Sequence, residues 1–143
     1  MKPLLIICVL LFSRQLNAQE RDSTNQNSRD TVGIFHKVEV DASFPGGKNA
    51  WTKYLQLNLD ANAPLEDLPR KTKTFTQTAI CQFIVCKDGT VCEIKVINDV
   101  LPSIKKEVER VIAKSGNWVP AEVNGKKVKS YKAQPITFFV SVE

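Results

Sequence analysis

Residues 78–98 read TAICQFIVC, KDGT and VCEIKVIN, which are two β-type runs on either side of an Asp-Gly turn signal. Apolar and polar residues alternate along both runs, so the length of the loop decides which residues share a face. A three-residue loop would place Phe83 opposite Glu93, whereas an even-length loop places Phe83 opposite Ile94. We therefore predict the even loop. Its register gives one core face, made of Ala79, Cys81, Phe83, Val85, Cys92, Ile94 and Val96.

Two helices are predicted, one on each side of this hairpin along the chain. Phe44-Pro45-Gly46-Gly47 forms a sharp turn before a helix over about 48–58. Its apolar stripe recurs at helical spacing and consists of Trp51, Tyr54, Leu55 and Leu59. Pro102 and Gly116 suit the start and the cap of a second helix, running to about Lys114, in which Glu107 and Arg110 form an exposed ion pair.

Further strands complete the predicted sheet. Residues 34–40 form a short strand or an extended arm, and 60–76 form an irregular connection. Asn124-Gly125 is a second hairpin turn, and Pro135 marks the start of a last strand over 136–142, because proline cannot donate a ladder hydrogen bond. A right-handed crossover places that strand beside the Ala79 strand. The predicted fold is α+β, a small antiparallel sheet with two helices packed on one face.

The first 33 residues differ in character from the rest. Residues 1–18 resemble an export signal, with Lys2, nine apolar residues from Leu4 to Phe12, and Ala18 before the expected cleavage site. Nine residues are too few for a bilayer core, which needs about 20. Residues 19–33 are polar, which predicts a disordered tail. The globular domain is expected over 34–143, without a stable membrane span.

Export and the absence of interleaved aromatic residues argue against a nucleic-acid partner, although the chain is mildly basic. The chain has 20 basic and 15 acidic residues, a formal net charge of +5, and the predicted signal contains two of the basic ones. Four lysines gather near the second hairpin turn, at positions 126, 127, 129 and 132. No aromatic residue is interleaved among them for base stacking, so a solvated lysine-rich hairpin is the preferred interpretation.

Candidate chemistry in the sequence is sparse. The single histidine, His36, is interpreted as a surface residue, and no nucleophile with a base, paired carboxylates or phosphate loop is evident. The cysteine spacing matches no zinc pattern. In the even-loop register Cys86 and Cys92 lie on opposite faces, so the three cysteines left after cleavage are expected to be free thiols. We therefore predict no enzyme activity, no cofactor and no metal, although an exported thiol-dependent enzyme stays open.

An ordered set of motifs resembles the TonB C-terminal domain family, in the version found in short exported Gram-negative proteins. The set covers about 38–142 and consists of Phe44-Pro45-Gly46-Gly47 before the Trp-Tyr-Leu helix, Lys87-Asp88-Gly89-Thr90, Trp118-Val119-Pro120-Ala121, Asn124-Gly125-Lys126 and Gln134-Pro135-Ile136-Thr137-Phe138. The resemblance implies a periplasmic protein-binding module that engages outer-membrane TonB-dependent transporters in transmembrane transport. A cleavable signal in place of a membrane anchor favours binding over energy transduction.

In that family the last strand is where the transporter's short N-terminal segment docks. The partner-binding residues expected here are therefore Ile136, Thr137, Phe138, Phe139, Val140 and Ser141. An edge strand can accept an extended peptide by strand addition. Three alternatives stay open: the arm at 34–40 could cover this edge, the domain could be an exported structural or adaptor module with another partner, and the edge could serve a homodimer.

Overall fold

The computed structural model describes residues 33–141. The predicted export signal, the polar tail up to residue 32, and residues 142–143 at the end of the predicted last strand lie outside the described residues. Within this range, two α-helices, one 3₁₀ turn and five strands follow one another. They are α1 (Gly47–Asn58), the 3₁₀ turn (Ala63–Glu66), β1 (Thr74–Val85), β2 (Val91–Val96), α2 (Pro102–Ala113), β3 (Ala121–Val123), β4 (Lys126–Val128) and β5 (Ser130–Ser141).

The main sheet has the antiparallel order β2-β1-β5, and β3 with β4 forms a separate two-stranded hairpin. The predicted α+β class is confirmed, and β5 lies beside β1 as predicted. Trp51 of α1 and four apolar residues of α2 share one buried cluster with Phe83 of β1, so both helices cover the same face of the sheet. Asn124 and Gly125 form the predicted two-residue turn, both at positive φ.

The loop of the β1–β2 hairpin contradicts the even-loop prediction. The Cys86 N–H donates to the Thr90 carbonyl at 2.8 Å, which leaves the three residues 87–89 as the loop. Val85 therefore lies opposite Val91, and Ile84 lies opposite Cys92. The prediction failed because it assumed that strict alternation continues along both strands from the turn.

A β-bulge restores the predicted register further along the hairpin. Glu93 has a φ of 53°, in the left-handed region, and the pairing shifts between Gln82 and Ile84. Beyond the bulge Cys81 lies opposite Val96, as predicted. The odd loop and the extra residue thus compensate for each other, so the apolar side chains of both strands largely reach the core face.

The three-residue loop also changes which residues the core contains. Ala79, Cys81, Phe83, Val85 and Val96 are buried, and Ile94 packs against them, as predicted. Cys92 does not join this cluster, because it pairs with Ile84, whose side chain points to the face away from the helices. The prediction that Cys92 belongs to the core face is therefore wrong.

Both long strands begin earlier than predicted, and the expected first strand is absent. β1 starts at Thr74, and β5 starts at Ser130 with Pro135 inside it. Residues 34–40 make only isolated bridges, through Phe35 to Ser130 and through Val40 to Glu122. This segment is thus an arm, the second form that the sequence allowed.

Trp118 connects the hairpin to α1. Its ring lies 5.0 Å from that of Phe83 and 5.3 Å from that of Trp51, measured between centroids, and its indole N–H donates to Ser115 Oγ at 2.8 Å. Its backbone N–H donates to the Gly89 carbonyl at 2.8 Å. Gly89 has a φ of 88°, and a Cβ there would lie 2.3 Å from the Trp118 carbonyl oxygen. Only glycine fits this turn without displacing the Trp118 backbone.

Glu107 and Arg110 form the predicted ion pair, but Glu107 is buried and the pair has a tertiary role. Arg110 donates to Glu107 at 2.6 and 2.7 Å and to the Asn58 carbonyl at 2.7 Å, while Glu107 accepts from the Asp60 N–H at 2.7 Å. Burial alone would raise the pKa of Glu107, but these hydrogen bonds and the Arg110 charge lower it overall. The pair therefore ties the end of α1 to α2.

Replacing Phe83 with alanine should destabilise the protein strongly. Phe83 is fully buried against Trp118, so Phe83→Ala is expected to cost about 3–5 kcal/mol in urea unfolding. Phe139→Ala serves as the control, because Phe139 is 66% exposed and should change the unfolding free energy by about 0.5 kcal/mol or less. Equal unfolding midpoints for the two variants would contradict the assigned core face.

Gly89→Ala should cost more stability than Gly125→Ala. Both glycines have positive φ, so each substitution adds backbone strain of about 1–2 kcal/mol. Only Gly89 adds a steric conflict, since a Cβ at Gly125 meets nothing within 4 Å. Thermal unfolding of the two variants compares them directly, and equal losses would show that the Gly89–Trp118 contact does not constrain the hairpin.

Candidate functional site: the edge of β5

The bonding of Ile80 on β1 decides which backbone groups of β5 face outward. The Ile80 carbonyl accepts from the Ile97 N–H at 2.9 Å, and its N–H donates to Asn98 Oδ1 at 2.7 Å, both on the β2 side. Its partner across the other ladder is Pro135, whose backbone groups therefore point away from β1. Proline fits this position because the donor it lacks would have faced outward.

Alternation extends this orientation along β5. The backbone N–H and C=O groups of Thr137, Phe139 and Ser141 also point away from β1, whereas those of Ile136 and Phe138 bond to it. No backbone hydrogen bond from within residues 33–141 reaches the outward groups of these three residues. They form the free edge, the name used here for the outward backbone of Thr137, Phe139 and Ser141.

The N-terminal arm covers only the beginning of β5. The Tyr131 N–H donates to the Phe35 carbonyl at 3.0 Å, and the Phe35 N–H donates to the Lys129 carbonyl at 2.8 Å. The arm then crosses to β3, where Val40 pairs with Glu122. The alternative that residues 34–40 cover the edge therefore holds near Tyr131 and does not extend to the free edge.

The six residues expected to bind a partner divide into two sets. Ile136, Phe138 and Val140 are buried against the helices and pair with β1, so they position the strand and offer no group to a partner. Thr137, Phe139 and Ser141 are exposed on the opposite face. Phe139 is the largest of them, and Thr137 shares a 2.8 Å hydroxyl contact with Thr78 on β1.

The first half of β5 adds residues that the sequence analysis left outside the strand. Ala133 and Pro135 belong to the outward set, while Lys132 and Gln134 lie on the helix face. The prediction missed these four residues because it began the last strand after Pro135. Two features of the sequence indicate an earlier start of this strand. Tyr131 is a good strand former, and edge strands tolerate proline.

A pocket of 310 Å³ adjoins this first half of β5. Three aromatic residues, Phe44, Trp51 and Trp118, line it together with Lys48 and Lys132. Within the described part of the chain the buried Trp51 indole N–H has no hydrogen-bond partner. The Lys132 ammonium lies 3.9 Å from Asp41, which is exposed, so the pair is weak. An apolar or aromatic side chain fits this pocket, and a carboxylate would suit its two lysines.

Other chemistry is limited in the described range. No group of three or more His, Cys, Asp or Glu side chains within residues 33–141 could hold a metal ion. His36 is exposed, as predicted, and its ring stacks on Tyr131 at 4.4 Å. No helix among the described residues is long and apolar enough to cross a membrane.

Comparisons with protein-family models, curated proteins and solved structures found no match to this chain. The resemblance to the TonB C-terminal domain family therefore stays a prediction. The argument for function depends on the free edge and on the pocket beside β5.

Amide hydrogen exchange should show the free edge directly. The N–H groups of Thr137 and Phe139 lack partners among the described residues, so they should exchange much faster than those of Ile136 and Phe138, which bond to β1. The measurement is residue-resolved exchange by NMR on the full chain. Equal protection of the two sets would mean that another part of the chain, or a second copy, covers the edge.

Proposed function

We propose that this chain is a periplasmic protein-binding module of the TonB C-terminal type. It accepts an extended peptide segment of an outer-membrane TonB-dependent transporter by strand addition at the free edge of β5. The observation that carries the proposal is the row of outward N–H and C=O groups at Thr137, Phe139 and Ser141. We propose binding, and not force transmission, as the role of this module.

The incoming strand has defined hydrogen-bonding partners. It accepts from the N–H groups of Thr137, Phe139 and Ser141 and donates to the carbonyls of Pro135, Thr137 and Phe139. Pro135 offers no N–H, so it limits the donor row on one side. The bound segment is therefore short, about five residues opposite 137–141, which suits a linear motif better than a folded domain.

Side chains near the edge provide selectivity. The Phe139 side chain is 66% exposed beside the free edge, so an apolar side chain of the peptide can pack against it. A peptide that continues past Pro135 reaches the pocket between Phe44 and Trp118, where Lys48 and Lys132 favour an acidic residue. The preferred ligand is thus an extended segment with apolar residues at alternate positions and an acidic residue towards one end.

Proline substitutions at the free edge should weaken peptide binding without unfolding the sheet. Thr137→Pro, Phe139→Pro and Ser141→Pro each remove one outward donor, and each lost hydrogen bond should lower affinity by about 2- to 12-fold. Isothermal titration with N-terminal peptides of transporters measures the effect. Unchanged affinity in all three variants would place the partner surface elsewhere.

Matched variants separate the backbone from the side chain. Thr137→Ala and Phe139→Ala keep the N–H groups, so any loss of affinity in them belongs to the side chain. Phe138→Pro removes a donor to β1 and should unfold the protein, which checks the assigned orientation of the strand. Sedimentation of the free protein detects pairing of two copies. If periplasmic crosslinking captured only other partners, the adaptor alternative would replace the transporter proposal.

The proposed compartment has its own test. The exported protein should begin at Gln19, because the apolar run of residues 4–12 is typical of a cleaved signal. Intact-mass analysis of protein from the periplasmic fraction checks this. A full-length chain that retains Met1 in the membrane fraction would overturn the cleaved-signal proposal and restore an anchored transducer.

A further inference from the structure

Two cysteines meet on the face of the β1–β2 hairpin that lies away from the helices. The Sγ atoms of Cys86 and Cys92 lie 3.5 Å apart. The three-residue loop causes this contact, since it pairs Cys92 with Ile84 and so places Cys92 on the face away from the helices. Cys86 follows Ile84 by two residues and shares that face. All three described cysteines are free thiols, as predicted, but the reason for that prediction, that Cys86 and Cys92 lie on opposite faces, is wrong for this pair.

The pair differs from the third cysteine of the described chain. Cys81 is fully buried on the core face, where burial, with a smaller contribution from Glu109, raises its thiol pKa to about 11. Cys86 and Cys92 are only partly buried, so a reagent in solution can reach them. Burial and the adjacent Cys86 raise the pKa of Cys92, while Lys129 opposes this shift and Glu93 adds to it.

We propose that Cys86 and Cys92 form a redox-active dithiol that is oxidised to an intramolecular disulfide by a disulfide-bearing oxidant. One cysteine, as its thiolate, attacks the oxidant's disulfide and forms a mixed disulfide, releasing one oxidant thiolate. The second cysteine, deprotonated, then attacks the sulfur of the first and releases the other oxidant thiolate. Two thiol protons leave the protein and the oxidant becomes a dithiol, so protons and electrons balance.

The geometry requires only a small movement. An S–S bond of about 2.0 Å needs the two sulfur atoms to approach by roughly 1.5 Å. Cys86 and Cys92 are diagonal neighbours, because Cys92 pairs with Ile84 and Cys86 bonds to Thr90, so bond formation requires side-chain rotation together with a small shift of the backbone near the loop. The crosslink closes the hairpin on the face opposite Phe83, next to the turn whose Gly89 holds Trp118. Oxidation therefore clamps the hairpin, since it links β1 covalently to β2 beside the core. This inference does not depend on the proposed binding at β5.

Peptide mapping of the full chain after equilibration in oxidised and reduced glutathione tests the proposal. Trypsin cleaves after Lys73, Lys87 and Lys95, so the predicted disulfide joins peptide 74–87 to peptide 88–95. We expect this linked pair in oxidised protein, with Cys81 still alkylatable after denaturation and the link lost on reduction. Fragmentation of the linked pair distinguishes Cys86 from Cys81.

Variants complete the test. Cys86→Ser and Cys92→Ser should each abolish the link, while Cys81→Ala should retain it. The oxidised wild type should melt at a higher temperature than the reduced form, and Cys86→Ser should show no such difference. Cys86 and Cys92 that stay alkylatable in fully oxidised glutathione, a link through Cys81, or a link only between two chains would overturn the proposal. A correct link without a change in Tm would overturn the clamping role.

Discussion

The packing of Trp118 against Phe83 is the contact on which most of this fold depends. Trp118 follows α2, and its ring meets β1 on one side and the aromatic residues of α1 and its preceding turn on another. Its backbone also bonds to Gly89 in the hairpin loop. One residue thus fixes the position of the hairpin, of α1 and of the chain leading to β3. Aromatic pairs at these distances add to the burial of their own surface.

The two halves of β5 show how the chain treats an exposed sheet edge. Near its start the edge is covered by Phe35, and at Pro135 it lacks a donor, and both features discourage pairing with another chain. The second half has neither protection among the described residues, and it carries the exposed Phe139. Selection against aggregation should lead to protection of a whole strand edge. An edge of β5 that is protected in its first half and unprotected in its second half therefore favours a binding role.

The bulge at Glu93 links two features that are separate in the sequence. A three-residue loop alone would put every later residue of β2 on the wrong face, and one extra residue restores Ile94 and Val96 to the core. Between the loop and the bulge, Cys92 stays on the open face beside Cys86. The odd loop therefore creates the cysteine pair, and the bulge that follows it restores the core.

The local periodicity of the sequence determined a large part of the secondary structure and of the buried core. The α1 and α2 ranges, the α+β class and the buried Ala79, Phe83 and Val85 follow from spacings within short segments, and the handedness of crossover connections placed β5 beside β1. Such spacings report which side of an element is apolar, and burial of apolar surface dominates the folding free energy. Thr137, Phe139 and Ser141 alternate with apolar residues along β5, and they share the exposed face.

Tertiary structure decided the rest. The loop length and the bulge at Glu93 depend on how Gly89 docks onto Trp118, a contact between segments far apart in the sequence. The outward direction of the Thr137 N–H depends on the hydrogen bonds that Ile80, on the neighbouring strand β1, makes on the β2 side. Backbone hydrogen bonds between strands and contacts between distant side chains leave no periodic trace in one sequence. The free edge and the Cys86–Cys92 contact could therefore be located only once the strands were in register.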